Sequence, residues 1–291
     1  VRTSPLSERR TALVTGAARG VGRATVTALL DAGWRVVAGV RDVSSAIERF
    51  GAREGLLAVR MDVRDDDEVR AGVAEAEEFA GGALACVVLN AGHAVLGAHE
   101  ETDLDVVRDM FETNLFGATR VTQAALPAMR VARRGVMVFV SSIGARMPIP
   151  LLGFYQASKA GMGMIAEALA LELRPFGVRV AIVEPGAIVT EFGRSTLLTG
   201  AATVGEGPYA ALAAEVRRAV PQLRERFPMG PEEVAHAIVG AASDPAWPFR
   251  TVLGGDAEVS DRLRRERADE AFQDGLVEFL GIDWPRATPA A

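Results

Sequence analysis

Ala12-Leu13-Val14-Thr15-Gly16-Ala17-Ala18-Arg19-Gly20-Val21-Gly22 decides the fold, because a short apolar run ends there in a glycine-rich turn that opens a helical pattern. A strand, a glycine turn and a helix in that order form the first half of a βαβ unit. Glycines let the backbone turn tightly and come close to a pyrophosphate, while the free N–H groups and the dipole of a helix start favour that anion. Glycines at 16, 20 and 22 do not match the G-x-G-x-x-G dinucleotide fingerprint, so this turn alone is weak evidence and reads more readily as a plain structural turn.

Outward from this stretch, β-rich runs alternate with longer helical stretches to about residue 190. The strand candidates are Ala12 to Thr15, Arg35 to Val40, Leu56 to Met61, Leu84 to Asn90, Val136 to Ser141, Val178 to Glu184 and Arg250 to Leu253. Their nearly unbroken apolar character, as in Val136-Met137-Val138-Phe139-Val140, marks strands covered on both faces. The expected fold is α/β, a doubly wound seven-stranded parallel sheet of the Rossmann type flanked by helices. Helices are expected to begin near Gly22, Asp66, Asp103, Tyr155 and Pro231, with acidic residues opening the second and the last. The 187–229 stretch carries no strand signal and mixes small residues with a helical piece around Tyr209 to Arg218, so it reads as a substrate loop or lid. Arg262 to Arg267 reads as a solvated helix face.

At 291 residues, 49% hydrophobic and 24% charged, the chain suits one well-buried domain over 11–285, behind a loose polar tail over 1–10 that lacks the centre of a secretion signal. That tail suggests a cytoplasmic protein. A net charge of -6 with 32 scattered basic residues argues against nucleic acid, and no run approaches the roughly 20 apolar residues that span a bilayer. Cys86 lies in an apolar run and reads as a buried structural thiol, and three histidines form no metal-ligand spacing, so no metal is expected.

The chemistry concentrates at Tyr155-Gln156-Ala157-Ser158-Lys159, which opens a helix thirteen residues after Ser142 at a strand end. Tyrosine and lysine four apart share one helical face. A phenol with a reference pKa of about 10 is a poor acid or base at neutral pH, and an adjacent ammonium lowers that value. Lys159 is therefore expected to tune Tyr155, and Ser142 to hydrogen-bond a substrate oxygen as charge develops. An exposed helix face and an ordinary strand-end serine would read the same way in isolation.

Together with Asn90-Ala91-Gly92, Asn114, and Pro185-Gly186, these motifs stand in an order that resembles the single-domain short-chain dehydrogenase/reductase family over roughly residues 10 to 195. The lengths between motifs and Pro231-Glu232-Glu233-Val234-Ala235 look most like its hydroxysteroid and retinol dehydrogenase branch. The resemblance implies hydride transfer between a nicotinamide cofactor and a carbonyl or alcohol, with Tyr155 as proton donor, Ser142 on the substrate oxygen, Lys159 on the nicotinamide ribose and Asn114 in a proton relay. It also implies that Gly16, Ala18, Arg19, Gly20, Val21 and Gly22 cradle the cofactor, Asp62 and Val63 its adenine, Asn90 to Gly92 its ribose, and Pro185, Gly186 and Thr190 its nicotinamide end. Homodimers or homotetramers built through the helices of Asn114 and Tyr155 follow from the same likeness.

NAD-specific members end the second strand on an acidic residue, where this chain has Val40 and then Arg41. Guanidinium groups of Arg41 and Arg19 suit a 2′-phosphate, so NADP(H) is expected over NAD(H), the alternative being that Asp42 swings in to take the ribose of NAD. His93, Met147, Leu152 and Phe192 are the candidate substrate contacts. Ile149, Leu151 and Phe154, with Leu197, Leu198 and Tyr209, add to an apolar pocket for a steroid, terpenoid, retinoid or polyketide-like ketone. Two rivals differ in class: a nucleotide-sugar isomerase or dehydratase of the extended branch, whose glycine spacing and larger C-terminal domain are missing here, and a non-catalytic NADP-binding regulator on the same fold.

Overall fold

Most strands of the main sheet feed a helix that returns over one of its two faces, and the buried side chains show why. In β1 (Thr11–Thr15), Ala12 and Val14 point into one hydrophobic core and Leu13 into the other. The computed structural model describes residues 10–189 and 196–282. The remaining strands are β2 (Arg35–Val40), β3 (Leu56–Arg60), β4 (Cys86–Leu89), β5 (Val95–Leu96), β6 (Val136–Val140), β7 (Arg179–Pro185), β8 (Leu197–Leu198) and β9 (Arg250–Leu253). Seven of them form one parallel sheet in the order β3-β2-β1-β4-β6-β7-β9. This is the doubly wound, Rossmann-type sheet expected from the alternation, with ends shifted by a residue or two where side chains leave the ladder.

The helices are α1 (Gly20–Asp31), α2 (Val43–Phe50), α3 (Asp66–Ala80), α4 (Leu104–Phe111), α5 (Gly117–Ala132), α6 (Gly153–Glu172), α7 (Ala201–Val204), α8 (Ala210–Arg226), α9 (Pro231–Ser243), α10 (Gly255–Glu266) and α11 (Asp269–Leu280). Buried residues of α1 and α9 cover one face of the sheet, and those of α3, α5 and α6 the other. Carboxylates cap the helix starts as electrostatics favours: Asp65 accepts from the N–H groups of Asp67 and Glu68 at α3, and Asp103 from Asp105 at α4. No helix among the described residues is long and apolar enough to cross a membrane.

The stretch after β7 corrects the sequence reading. A two-residue strand, β8, pairs in parallel with β5, and the helix expected over Tyr209 to Arg218 runs on to Arg226 through Pro221. Burial of Val216, Ala219 and Leu223 in a third core with Ile143, Met147, Ala257 and Phe272 carries α8 past the proline. That core joins α8, α10 and α11 to the turn after Ser142 and forms a layer above the ends of the sheet. The Thr199 and Thr102 hydroxyls, 3.0 Å apart, tie the same stretch to the segment before α4.

The packing of the glycine turn makes a test. A Cβ at Gly22 would collide with the Gly16 carbonyl and the Asn90 side chain, whereas one at Gly163 inside α6 meets nothing within 4 Å. Gly22→Ala is expected to cost about 1–3 kcal/mol of stability by overpacking, and Gly163→Ala to add roughly 0.5–1 kcal/mol by removing a helical glycine. Thermal melts of the two variants should therefore move in opposite directions.

Candidate active site

Because β1 and β4 send their chains to opposite sides of the sheet, a crevice opens at their carboxyl ends. It is a cleft of about 500 Å³ running from the glycine turn to Ser142 and Tyr155. Gly16 and Gly20 take positive φ (63° and 51°) in this turn. Arg19, at the N-cap of α1, is extended and offers no side-chain cap, and no acidic residue occupies the first turn. The first N–H groups of α1 therefore face the cleft without a side-chain acceptor, which suits an anionic ligand. The guanidinium groups of Arg19 and Arg41 are exposed, line the cleft, and make no hydrogen bond or ion pair among the described residues. Asp42 is occupied elsewhere, accepting from Ser45 N (3.1 Å) as the cap of α2, and does not line the cleft.

The floor is stitched by short polar side chains. The Thr15 hydroxyl donates to Val88 O and accepts from the N–H groups of Asn90 and Ala91 at 3.0 and 3.1 Å. Asn90 Nδ2 returns bonds to the carbonyls of Thr15 and Gly16. Asn114 is fully buried in a π-helical turn, Glu112–Phe116, between α4 and α5. Its Nδ2 donates to His93 O and Ser158 Oγ, each at 2.9 Å, and its Oδ1 accepts from His93 N. Asn114 thus sits behind the cleft wall and locks the Gly92-His93 turn to α6.

Ser142 and Tyr155 are hydrogen-bonded to each other, and Ser142 Oγ also accepts from Gly144 N. Lys159, the single lysine of the chain, is buried and donates from Nζ to Val140 O at 2.9 Å. Burial lowers its pKa to about 8. The expected depression of the tyrosine is reversed: burial pushes Tyr155 up to about 12, and the bond to Ser142 only partly opposes this. The reason is geometric, since the lysine's bond goes to the β6 carbonyl and desolvation dominates the phenol.

The opposite wall is the Pro185-Gly186-Ala187 turn. Asp256, buried at the start of α10, accepts from Ala187 N at 2.7 Å, and any side chain at Gly186 would strike that carboxyl. One residue before the turn, the fully buried Glu184 bridges Arg146 and Arg250, and Arg146 also reaches Asp261 at 2.6 Å. Ionic contacts thereby join the Ser142 segment, β7, β9 and α10. Burial raises the Glu184 pKa above the ordinary carboxylate value, and the two guanidiniums only partly oppose this.

The structure brings together nearly all the residues singled out in the sequence. Gly16, Ala18 to Gly22, Arg41, Asp62, Val63, Asn90 to His93, Ser142, Met147, Leu152, Tyr155, Lys159, Pro185 and Gly186 all line the cleft. Thr190 and Phe192 lie outside the described residues. Asp62 is held below its ordinary pKa by Arg64, which spans to Asp109 as well. His93 faces Asp109 across 3.7 Å, and burial lowers its pKa. Several apolar candidates are corrected. Phe154 stacks on His99, Leu197 and Leu198 are exposed in β8, and Tyr209 hydrogen-bonds Glu100 at the start of α8, so none of them lines the cleft. Ile188, Val220, Leu223, Arg224 and Asp256 line it instead. Apolar periodicity in α8 hinted at Val220 and Leu223 alone, and that pattern does not say what the helix covers.

Known proteins share this fold. The family model described as short chain dehydrogenase matches residues 10–199. The 3-ketodihydrosphingosine reductase of Bacteroides thetaiotaomicron is 33% identical over 85% of this chain and 88% of its own. Retinol dehydrogenase 8 of Bos taurus is 33% identical over 63% of this chain and 60% of its own. Among solved structures, a short-chain dehydrogenase from Streptomyces avermitilis superposes with a TM-score of 0.79 at 32% identity, covering 94% of this chain and 97% of that one. A Burkholderia cenocepacia short chain dehydrogenase in complex with NADP has a TM-score of 0.70 at 25% identity, covering 94% and 98%. A Brucella melitensis 3-ketoacyl-(acyl-carrier-protein) reductase complexed with NADH has 0.69 at 25%, covering 84% and 96%. With the family model matched over most of the chain and the same fold, this protein belongs to the short-chain dehydrogenases, a family of oxidoreductases.

Proposed function

We propose that the protein transfers a hydride between NADP(H) and a carbonyl or secondary alcohol whose body is apolar. The observation that carries the reaction is the hydrogen-bonded Ser142–Tyr155 pair beside the buried Lys159, at the closed end of a cleft whose other end offers helix N–H groups and unpaired guanidiniums. The α1 N-terminus and its glycine turn hold the diphosphate, Asp62 and Val63 border the adenine, Asn90 to Gly92 the ribose, and Pro185 and Gly186 the nicotinamide. NADP is favoured over NAD because the guanidiniums of Arg19 and Arg41 lack partners among the described residues while Asp42 is committed to capping α2. When bound, the nicotinamide supplies or accepts the hydride.

Ser142 donates a hydrogen bond to the substrate oxygen, and Tyr155, protonated at neutral pH, delivers a proton to that oxygen as it gains charge. Oxidation of an alcohol runs the same transfer in reverse. Lys159 keeps donors beyond its bond to Val140 O for a ribose hydroxyl, and its ammonium favours the phenolate as the proton leaves. Asn114 holds the Gly92-His93 turn so that these groups stay aligned. Ile143, Met147, Ile149, Leu152, Val220 and Leu223 provide the apolar wall that receives the substrate body, and two relatives named for sphingoid and retinoid substrates agree with such a body. Residues 11–285 act as one catalytic unit, with 187–229 covering the substrate. The protein works as a homo-oligomer through α5 and α6, where Val131, Met164 and Leu171 stand exposed.

Replacing Tyr155 by Phe is expected to lower turnover by roughly 10²–10⁴-fold while the melting temperature and NADPH binding persist; near-normal turnover would refute its role. Arg41→Ala should reduce kcat/KM for NADPH by about tenfold or more and leave NADH little changed, and a wild-type preference for NADH would sink the cofactor assignment. Because Lys159 is the only lysine, isotopically labelled lysine gives a single side-chain NMR signal, whose titration midpoint is expected near 8 rather than 10.5. With the folded value depressed, the unfolded chain holds more protons between those limits, so stability rises with pH there relative to Lys159→Met. A midpoint at or above 10.5 would contradict the burial.

A further inference from the structure

Arg224 is the cation of the cleft that neither the fold nor the reaction explains. Four arginines lie on α8, and three of them have partners: Arg217 donates to Ala202 O, Arg218 pairs with Glu215 and Gln222, and Arg226 packs over the rings of Phe227 and Phe279. Arg224 has none. Its Nε is buried without an acceptor, and its guanidinium makes no hydrogen bond or ion pair. The neighbouring sequence cannot supply a carboxylate, because the positions three and four residues away on either side are Val220, Pro221, Phe227 and Pro228. Of the acidic groups that line the cleft, Asp62 and Asp109 pair with Arg64, and Asp256 takes Ala187 N on Oδ2 while its Oδ1 is buried beside Gly186 without a partner among the described residues; none is bonded to Arg224.

A buried guanidinium N–H without an acceptor is unfavourable, and a ligand anion relieves it. The position says which part of the ligand carries that anion. Arg224 follows Val220 by one helical turn on the face that lines the cleft, and Val220 and Leu223 pack with Ile143, Met147, Ile149 and Leu152, beside the reacting end. Arg19 and Arg41 stand at the ends of β1 and β2, by the glycine turn. Resting on the hydride-transfer reading above, we propose that Arg224 binds an anionic group, a carboxylate or phosphate, on a carbonyl substrate whose body is otherwise apolar. The substrate class is then an amphipathic keto acid or phosphorylated ketone, with its charge held by α8 and its carbonyl at Ser142 and Tyr155.

Calorimetric titration of the NADPH-saturated protein with decanoate and with decanol tests this. Wild type is expected to bind decanoate at least about tenfold more tightly than Arg224→Gln, with decanol bound equally by both. Arg224→Lys, which keeps the charge, should fall between them and serves if the glutamine variant melts early. Equal decanoate affinity in wild type and variant, or no decanoate binding by wild type, overturns the proposal. A loss seen only in NADPH affinity, measured by its fluorescence, also overturns it and assigns the anion to the cofactor diphosphate. Absence of hydride transfer across a ketone panel, with Arg224-dependent decanoate binding intact, removes the reaction reading and leaves the anion site. Hydride transfer without charge discrimination does the reverse.

Discussion

The hydroxyl of Thr15 is the point on which the cleft depends. It donates to Val88 O and accepts from the backbone of Asn90 and Ala91, so one side chain joins the ends of β1 and β4 where their chains diverge. Divergence at a switch point opens a crevice, but an open crevice leaves strand-end N–H and C=O groups without ladder partners. Thr15 and Asn90 satisfy them internally, and Gly16 and Gly22 allow the chains to approach closely enough for that to happen. Glycine is required at these two positions first by the protein's own packing, and the ligand-binding geometry is built on top of it.

Burial then sets the chemistry of the closed end. Lys159 and Tyr155 lose solvent together, and desolvation shifts each toward its neutral form, the lysine down and the phenol up. The pair is thus poised with a protonated phenol and an amine whose charge responds to its surroundings. Two side chains placed four apart on a helix do not dictate this. It follows from the docking of α6 against β6, which puts the lysine on the carbonyl of Val140. Asn114 works through the same packing, since its amide saturates the turn that borders the lysine.

The third core makes the site more than a generic crevice. Helices α8, α10 and α11 gather over the turn after Ser142, and the contacts of Glu184 with Arg146 and Arg250 bind that layer to the sheet. Charges this deeply buried contribute little net stability, yet removing one partner would leave another uncompensated, so the arrangement holds its members in one geometry. Asp256 extends the constraint to the Pro185-Gly186-Ala187 wall. The apolar surface and the guanidinium of Arg224, unpartnered among the described residues, both come from this layer.

How much of this was legible in the sequence depends on whether a feature is local. Seven strands, their parallel arrangement and the glycine turn are visible because apolar runs and φ-permissive residues act within a few positions of themselves. The set of Ser142, Tyr155, Lys159 and Asn114 is visible because its spacing matches a family pattern. Tertiary structure alone decided the direction of the Tyr155 shift, the commitment of Asp42 to a helix cap, and which apolar residues reach the cleft. Phe154 and Tyr209 look like pocket residues in the sequence and are not, while Arg224 and Asp256 carry no local mark and are. The physical reason is that solvent exclusion and partner choice arise between segments far apart in the chain, where periodicity and spacing carry no information about what each face meets.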